Sequence, residues 1–384
     1  MKCHYQRIAI YVADLDPSRG GMERVTYLLT RELGRRGYDI YAIHTNNLPI
    51  DRSLYSHYKS LYQGDSTRLG DISGIIAFIK KNNIELVINQ VYTCYSSVEL
   101  QQAIKKETSA VLINAFHITP FLLKHLKEFH RSLPIPQFLN RILFSIHKIV
   151  NLKPRYRKGN RLSYELCDAF VMLSPHYFSE FANDNKIKDI SKLYAIANPC
   201  DSASYNSNVP KEKIILVVAR LNNQQKRIDR TLQFWKKFHQ NGDGWKLVIV
   251  GDGADKEMLE RMAEKLGLSD YSFEGHSDTP MDYYTKAMIF MMTSDAEGWG
   301  MTLVEAMSMG CVPVAMNCFS ALSDIVTDKQ NGVIVSKDDI FGMVTATQYI
   351  IAHFNEMSAQ AQESVKRFDV ETIANKWENL FNRL

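Results

Sequence analysis

The feature that most restricts what this chain can fold into is an alternation that occurs twice. In the first half the short apolar, β-branched runs "RIAIYVA", "DIYAIHT", "LVINQVY", "VLINAFH", "AFVMLS" and "LYAIANP" are separated by amphipathic stretches. A second set, "IILVVARL", "WKLVIVGDG", "YSFEG", "AMIFMMTS", "VPVAMN" and "NGVIV", fills the second half. Strands that are apolar on both faces need cover on both faces, and segments such as "GMERVTYLLTRELGRRG" and "KEMLERMAEKLG" have the helical period to provide it. The chain has 384 residues, 45% of them hydrophobic, which is enough for two cores. The expectation is therefore an α/β protein with two Rossmann-like, doubly wound parallel-sheet domains facing across a cleft. The seam is placed at "NPCDSASYNSNVPKEK" (198–213), where Pro, Ser and Asn cluster and the periodicity lapses. This gives domains at 1–197 and 198–365, with 366–384 left as an amphipathic tail.

Other classes are restricted by composition. Six cysteines, Cys3, Cys94, Cys167, Cys200, Cys311 and Cys318, form no C-x-x-C pair, which fits reduced thiols in the cytoplasm and no structural zinc. The N-terminus "MKCHYQRIAIYVADLDPSRGG" lacks the apolar core and cleavage site of a signal peptide. No apolar run approaches the ~18 residues of a membrane span. The net charge of +4 is unevenly distributed. Between Phe121 and Arg161 ten Lys or Arg stand against one acid, Glu128, so this segment carries +9 and the rest of the chain −5. Its cations are interleaved with "FLL", "FLNRILF" and "IHKIV", a pairing that suits a helix lying on anionic lipid as well as it suits a solvated basic face. Nucleic acid is not expected as a partner, because no recognition module accompanies the basic segment and the remainder is acidic.

Several loops at strand ends can be weighed singly. "VIVGDGADKEM" has Gly251 and Gly253, but Lys256 stands where a dinucleotide fingerprint has its third glycine, so a strand-to-helix turn is the simpler reading. Asp14 and Asp16 have the Asp-x-Asp spacing that can hold a divalent ion, yet they end the first strand and read as a polar exit. Gly20 and Gly21 open an amphipathic helix, where the missing Cβ lets backbone N–H groups approach an anion, although such an entry taken alone is more often just a turn. Arg220 and Lys226 leave the strand "IILVV" and place two cations in one loop, an arrangement that suits a departing diphosphate as well as it suits two solvated surface cations.

The stretch "SDAEGWGMTLVEAMSMGCVPVA" (294–315) puts Glu297 and Glu305 on either side of a Gly-Trp-Gly turn. Thr302 and Glu305 have the spacing of a capping box, which accounts for Glu305 without a ligand. Glu297, Gly298 and Gly300 remain: a helix start fronted by glycines is an anion site, and a carboxylate beside it can engage hydroxyls. Phosphate and polyol together describe a nucleotide sugar.

With these motifs in order, the chain resembles the retaining glycosyltransferases of family 4, which have the GT-B architecture. The resemblance rests on Glu297 and Glu305 as a Glu-x7-Glu motif, on Gly20, Gly21 and Glu23, on Arg220, Leu221 and Lys226, on "VGDG" at 250–253, on "FEG" at 273–275, and on "NP" at 198–199. It implies a metal-independent enzyme without a cofactor, using a nucleotide-sugar donor, expected to be UDP-linked. The implied acceptor is a glycan or lipid-linked glycan of bacterial surface polysaccharide. Gly20, Gly21, Arg220 and Lys226 would face the diphosphate, and Glu305 the ribose. Glu297 and the backbone of Gly298, Trp299, Gly300, Met301 and Thr302 would line sugar and phosphates, Glu274 and Gly275 the base. His117, with Glu297, would act at the transferred sugar. Ile118 and Ala219 depart from the family, which often has Asp and Gly there. The implied location is cytoplasmic, peripheral on the inner membrane face if 121–161 meets lipid, and the tail would return to the first domain. The rival classes are a nonenzymatic nucleotide-sugar binder and a Rossmann oxidoreductase.

Overall fold

The computed structural model of the chain describes residues 4–46, 52–64, 71–91, 97–117, 143–201, 209–239 and 243–384. It contains two compact units, one of 1–199 with 370–384 and one of 200–369.

The first unit is built on seven strands: β1 (Arg7–Val12), β2 (Asp39–His44), β3 (Tyr58–Gln63), β4 (Leu86–Asn89), β5 (Val111–Phe116), β6 (Ala169–Met172) and β7 (Leu193–Ala195), in the order β3-β2-β1-β4-β5-β6-β7. Every pairing is parallel. The central strands bury both faces, which is why their sequences are almost unbroken apolar runs. β3 is the strand that the apolar pattern passes over. At the sheet edge, "YKSLYQ" needs few apolar residues and buries only Tyr58 fully. The helix Val370–Phe381 closes this unit against the helix Gly21–Arg35. Trp377 and Phe381 are buried, while Arg36 bridges Glu378 at 2.5 Å and Arg35 bridges Glu371 at 2.9 Å.

The second unit has six parallel strands: β8 (Glu212–Val218), β9 (Lys246–Val250), β10 (Tyr271–Gly275), β11 (Ala287–Met292), β12 (Val312–Met316) and β13 (Val333–Val335), in the order β10-β9-β8-β11-β12-β13. The helix Ile228–Phe238 turns Leu232, Phe234 and Trp235 into the core, and Trp235 Nε1 donates to the Ser269 carbonyl at 2.8 Å.

In each unit the strand order reverses once, between β1 and β4 and between β8 and β11. Loops that leave neighbouring strands in opposite directions open a crevice at such a point, where doubly wound sheets bind ligands.

Of the basic segment 121–161, residues up to 142 lie outside the described part. From 143 on the chain is helical, with a π-helical stretch at Lys148–Leu152 running into the helix Lys153–Leu166. Leu143, Ile146, Ile149 and Val150 are exposed along it. Among the described residues no helix is long and apolar enough to cross a membrane.

Candidate active site

The reversal point of the second unit gathers most of the residues singled out in the sequence. Lys226 follows β8 and Glu297 follows β11; Lys226 Nζ donates to Glu297 Oε1 at 2.7 Å. Ser294 Oγ donates to the same oxygen at 2.6 Å. Ala219, Lys226, Thr293, Ser294, Glu297 and Thr302 line one small cavity there. Arg220, in the same loop as Lys226, is exposed and makes no ion pair among the described residues. Burial pushes the nearby Cys318 thiol up, and the charge of Glu297 adds to the effect, so it stays protonated and does not compete as a nucleophile.

The glycines of "VGDG" serve this loop. A Cβ on Gly251 would fall 1.9 Å from the Ala219 carbonyl oxygen, and one on Gly253 would fall 2.5 Å from that of Leu221. The backbone of 219–221 runs directly across them, with Ala219 N–H donating to Val250 O at 3.0 Å and Leu221 N–H to Asp252 O at 2.8 Å. These glycines act by close approach of two backbones, fixing the Arg220 loop. Gly251 N–H also donates to Gly275 O at 2.7 Å, which ties in the end of β10, where partial burial and then the charge of the neighbouring Glu274 raise the pKa of the Tyr283 phenol.

The helix Met301–Ser308 starts at Gly300, whose φ of 80° is in the left-handed region. Thr302 therefore lies inside the first turn and not at the cap, so the capping box read from the spacing does not form. Glu305 is buried instead, at 6% exposure, and accepts from Tyr284 Oη at 3.3 Å. Met301 is half-buried, and Gly298 keeps the approach free of side chain. Trp299 turns inward to stack edge-on against Phe368 at 5.2 Å, 3% exposed, so its side chain belongs to the core and only its backbone to the loop.

The first unit holds a separate group of candidates. Gly20 caps the helix Gly21–Arg35 in extended conformation. The carboxylates of Asp14 and Asp16 are turned onto their own loop: Arg19 Nε lies 3.2 Å from Asp14 and 3.4 Å from Asp16, and Asn46 donates to Asp14 at 2.6 Å. His117, at the end of β5, faces Asn198 Oδ1 through Nδ1 at 3.1 Å, so Nδ1 carries the proton and Nε2 the lone pair. Nε2 is buried in a largely apolar cavity lined also by Val25, Leu29, Phe116, Gln90 and Trp377. Burial lowers the pKa of His117 to about 4, leaving it neutral at ordinary pH. Ile118 lies outside the described residues.

Sequence reasoning missed Gln90 and Tyr284, which meet Thr26 and Glu305 through the tertiary fold, and Ser294, whose partner Glu297 is only three residues away. It also passed over Asp295, although the residue stands inside the most informative stretch.

Two Rossmann-like parallel-sheet units define the GT-B fold, and solved structures match on those terms. The Anabaena protein HepE in complex with UDP-glucose superposes with a TM-score of 0.77 at 15% identity, covering 98% of this chain and 100% of that one. Residues 203–366 match the family model described as glycosyl transferases group 1. An uncharacterized glycosyltransferase of Haemophilus influenzae is 23% identical over 98% of this chain and 99% of its own length. A Campylobacter jejuni protein, "GalNAc-alpha-(1->4)-GalNAc-alpha-(1->3)-diNAcBac-PP-undecaprenol alpha-1,4-N-acetyl-D-galactosaminyltransferase", is 25% identical over 59% of this chain and 63% of its own. These two relatives and the matched family are glycosyltransferases.

Proposed function

We propose that the protein transfers a sugar, with retention, from a UDP-linked donor to a glycan or lipid-linked glycan in bacterial surface polysaccharide synthesis. The observation that carries this reading is the Lys226–Glu297 pair at the reversal point of the second unit, beside exposed Arg220 and the glycine-fronted helix Met301–Ser308. A cation pair and a helix N-terminus meet a diphosphate, while Glu297 and buried Glu305 supply acceptors for sugar and ribose hydroxyls. The UDP-glucose complex of HepE and the undecaprenol-linked name of the Campylobacter relative support the donor and acceptor classes.

In the reaction the bond from the sugar C1 to the UDP oxygen breaks as C1 bonds the acceptor oxygen on the same face. The acceptor proton passes to a departing phosphate oxygen. Negative charge grows on the leaving group, so Arg220, Lys226 and the helix start gain most in the transition state. These cations are assigned the role that a divalent ion has in other sugar transferases. His117 is assigned to the transferred sugar and Gly20 and Gly21 to the diphosphate. A screen of nucleotide sugars for release of nucleoside diphosphate tests the reading, with UDP-sugars expected to turn over in excess EDTA. Saturable binding without turnover would make the protein a binder, and oxidation of a nicotinamide cofactor would make it an oxidoreductase.

The helical part of the basic segment favours a place on the cytoplasmic face of the membrane. Leu143, Ile146, Ile149 and Val150 are exposed next to Lys148, Lys153 and Arg155, and each cation near anionic lipid contributes ~1 kcal/mol, screened by salt. Co-sedimentation with vesicles should require anionic lipid and fall as salt rises. Indifference to anionic vesicles at low salt would sink this placement.

A further inference from the structure

The loops after β8 and β11 are joined by a charged cluster that the transfer reading does not use. Lys226 ends a single helical turn, and Arg227 follows with a φ of 52°, a left-handed conformation that residues other than glycine enter at a cost. Two carboxylates hold it there. Arg227 Nε and Nη2 donate to Asp229 Oδ1 and Oδ2, each at 2.9 Å, and Nη1 donates to Asp295 Oδ2 at 3.2 Å. Asp295 is 4% exposed, and its other oxygen meets Arg230 Nη2 at 2.8 Å and Lys337 Nζ at 2.9 Å. Arg230, also buried, donates to the Thr293 carbonyl at 2.9 Å and to Asp338. The backbone closes the same seam: Asp295 N–H donates to Gln225 O at 2.7 Å, and Gln225 Nε2 donates to Ala296 O at 3.1 Å. Three cations therefore face three carboxylates between the residues that flank Lys226 and those that lead to Glu297.

We propose that Asp295 is a positioning residue: by clamping the left-handed turn at Arg227 to the end of β11, it fixes where the Lys226 ammonium lies against Glu297. The proposal rests on the transfer reading only for the identity of the anion that Lys226 meets. A merely structural Asp295 would change stability and leave the chemistry of the folded protein alone. A positioning Asp295 changes turnover in molecules that remain folded.

The test uses the full chain, with UDP affinity measured by calorimetry and kcat and KM measured with UDP-glucose. Folded Asp295→Asn is expected to lose about tenfold in kcat with KM nearly unchanged, because a misplaced cation is felt most as charge develops. UDP affinity is expected to fall severalfold. Arg227→Gly takes the left-handed conformation without a clamp. In that background Asp295→Asn should cost about twofold or less, a coupling that independent sites would not show. If Asp295→Asn does not fold, Asp229→Asn releases the other half of the clamp with Arg230 still paired, and the same loss and the same rescue are expected. Wild-type kcat and UDP affinity in folded Asp295→Asn, an equal loss in both backgrounds, or failure of both aspartate variants to fold would each overturn the proposal. A wild-type protein that binds UDP and turns over no UDP-sugar would overturn the transfer reading instead, with UDP affinity still reporting the coupling.

Discussion

The two units use the same sheet plan and hold their candidate residues in opposite ways. In the second, charge meets charge: Lys226 on Glu297, and Arg227 and Arg230 on Asp295. In the first, His117 faces a neutral amide on one side and an apolar cavity on the other, and burial keeps it uncharged. The difference suits different tasks. Ion pairs arranged before a ligand arrives can stabilise a leaving group as its charge grows, without reorganisation during the reaction. A neutral imidazole with one fixed proton offers a single directed acceptor and adds no charge.

The largest effect that would break this comparison is expected in the second unit. Lys226→Ala and Arg220→Ala should each lower kcat by about a hundredfold, the scale of removing one electrostatic contact to a developing anion, with thermal stability close to wild type. Turnover that survives both changes would remove charge stabilisation from the account. Next is Glu305→Gln. A charge-assisted hydrogen bond to ribose is worth ~1.5 to 3 kcal/mol, so UDP affinity should fall by at least tenfold in calorimetry. Unchanged affinity would leave Glu305 as a packing residue held by Tyr284.

In the first unit His117→Ala should reduce transfer about tenfold, the scale of one neutral hydrogen bond, and leave UDP affinity intact. Equal losses of transfer and UDP binding would mark His117 as a structural histidine. The smallest effect is one of pH. Burial lowers the pKa of His57 and of His117 to about 4 and lowers that of His44 as well, all in the first unit. Between pH 6.5 and 4 the side chains of His57 and His117 bind protons when unfolded and not when folded, and His44 shifts in the same direction. The stability that they confer is thus complete above the unfolded value and lost as pH falls through this window. The slope is at most about 1.4 kcal/mol per pH unit for each histidine. Hydrogen exchange followed from pH 7 to 5 should show the amides of β1, β2 and β5 losing protection before those of β8 and β11. A uniform response would mean that the two units do not differ in this respect.

The strand pattern was written in the chain itself. Among the described residues, twelve of the thirteen strands coincide with the apolar runs, because a strand covered on both faces advertises its burial in consecutive residues. β3 escaped because "YKSLYQ" buries only Tyr58 fully and alternates with polar residues, unlike the apolar runs of the edge strands β7 and β13. The glycines and the charged residues of the site were also legible, since close backbone approach and anion binding demand particular residue types at particular places. Their partners were not. Lys226 meets Glu297 across 71 residues, His117 meets Asn198 across 81, and Arg227 reaches Asp295 across 68. The failed capping box is the same lesson on a smaller scale: Thr302 and Glu305 have the spacing, and the helix begins two residues too early to use it. Periodicity is a local property that sequence states directly, whereas a contact between two strand ends exists only after the crossovers have brought β8 beside β11, and the order of strands in a sheet decides that.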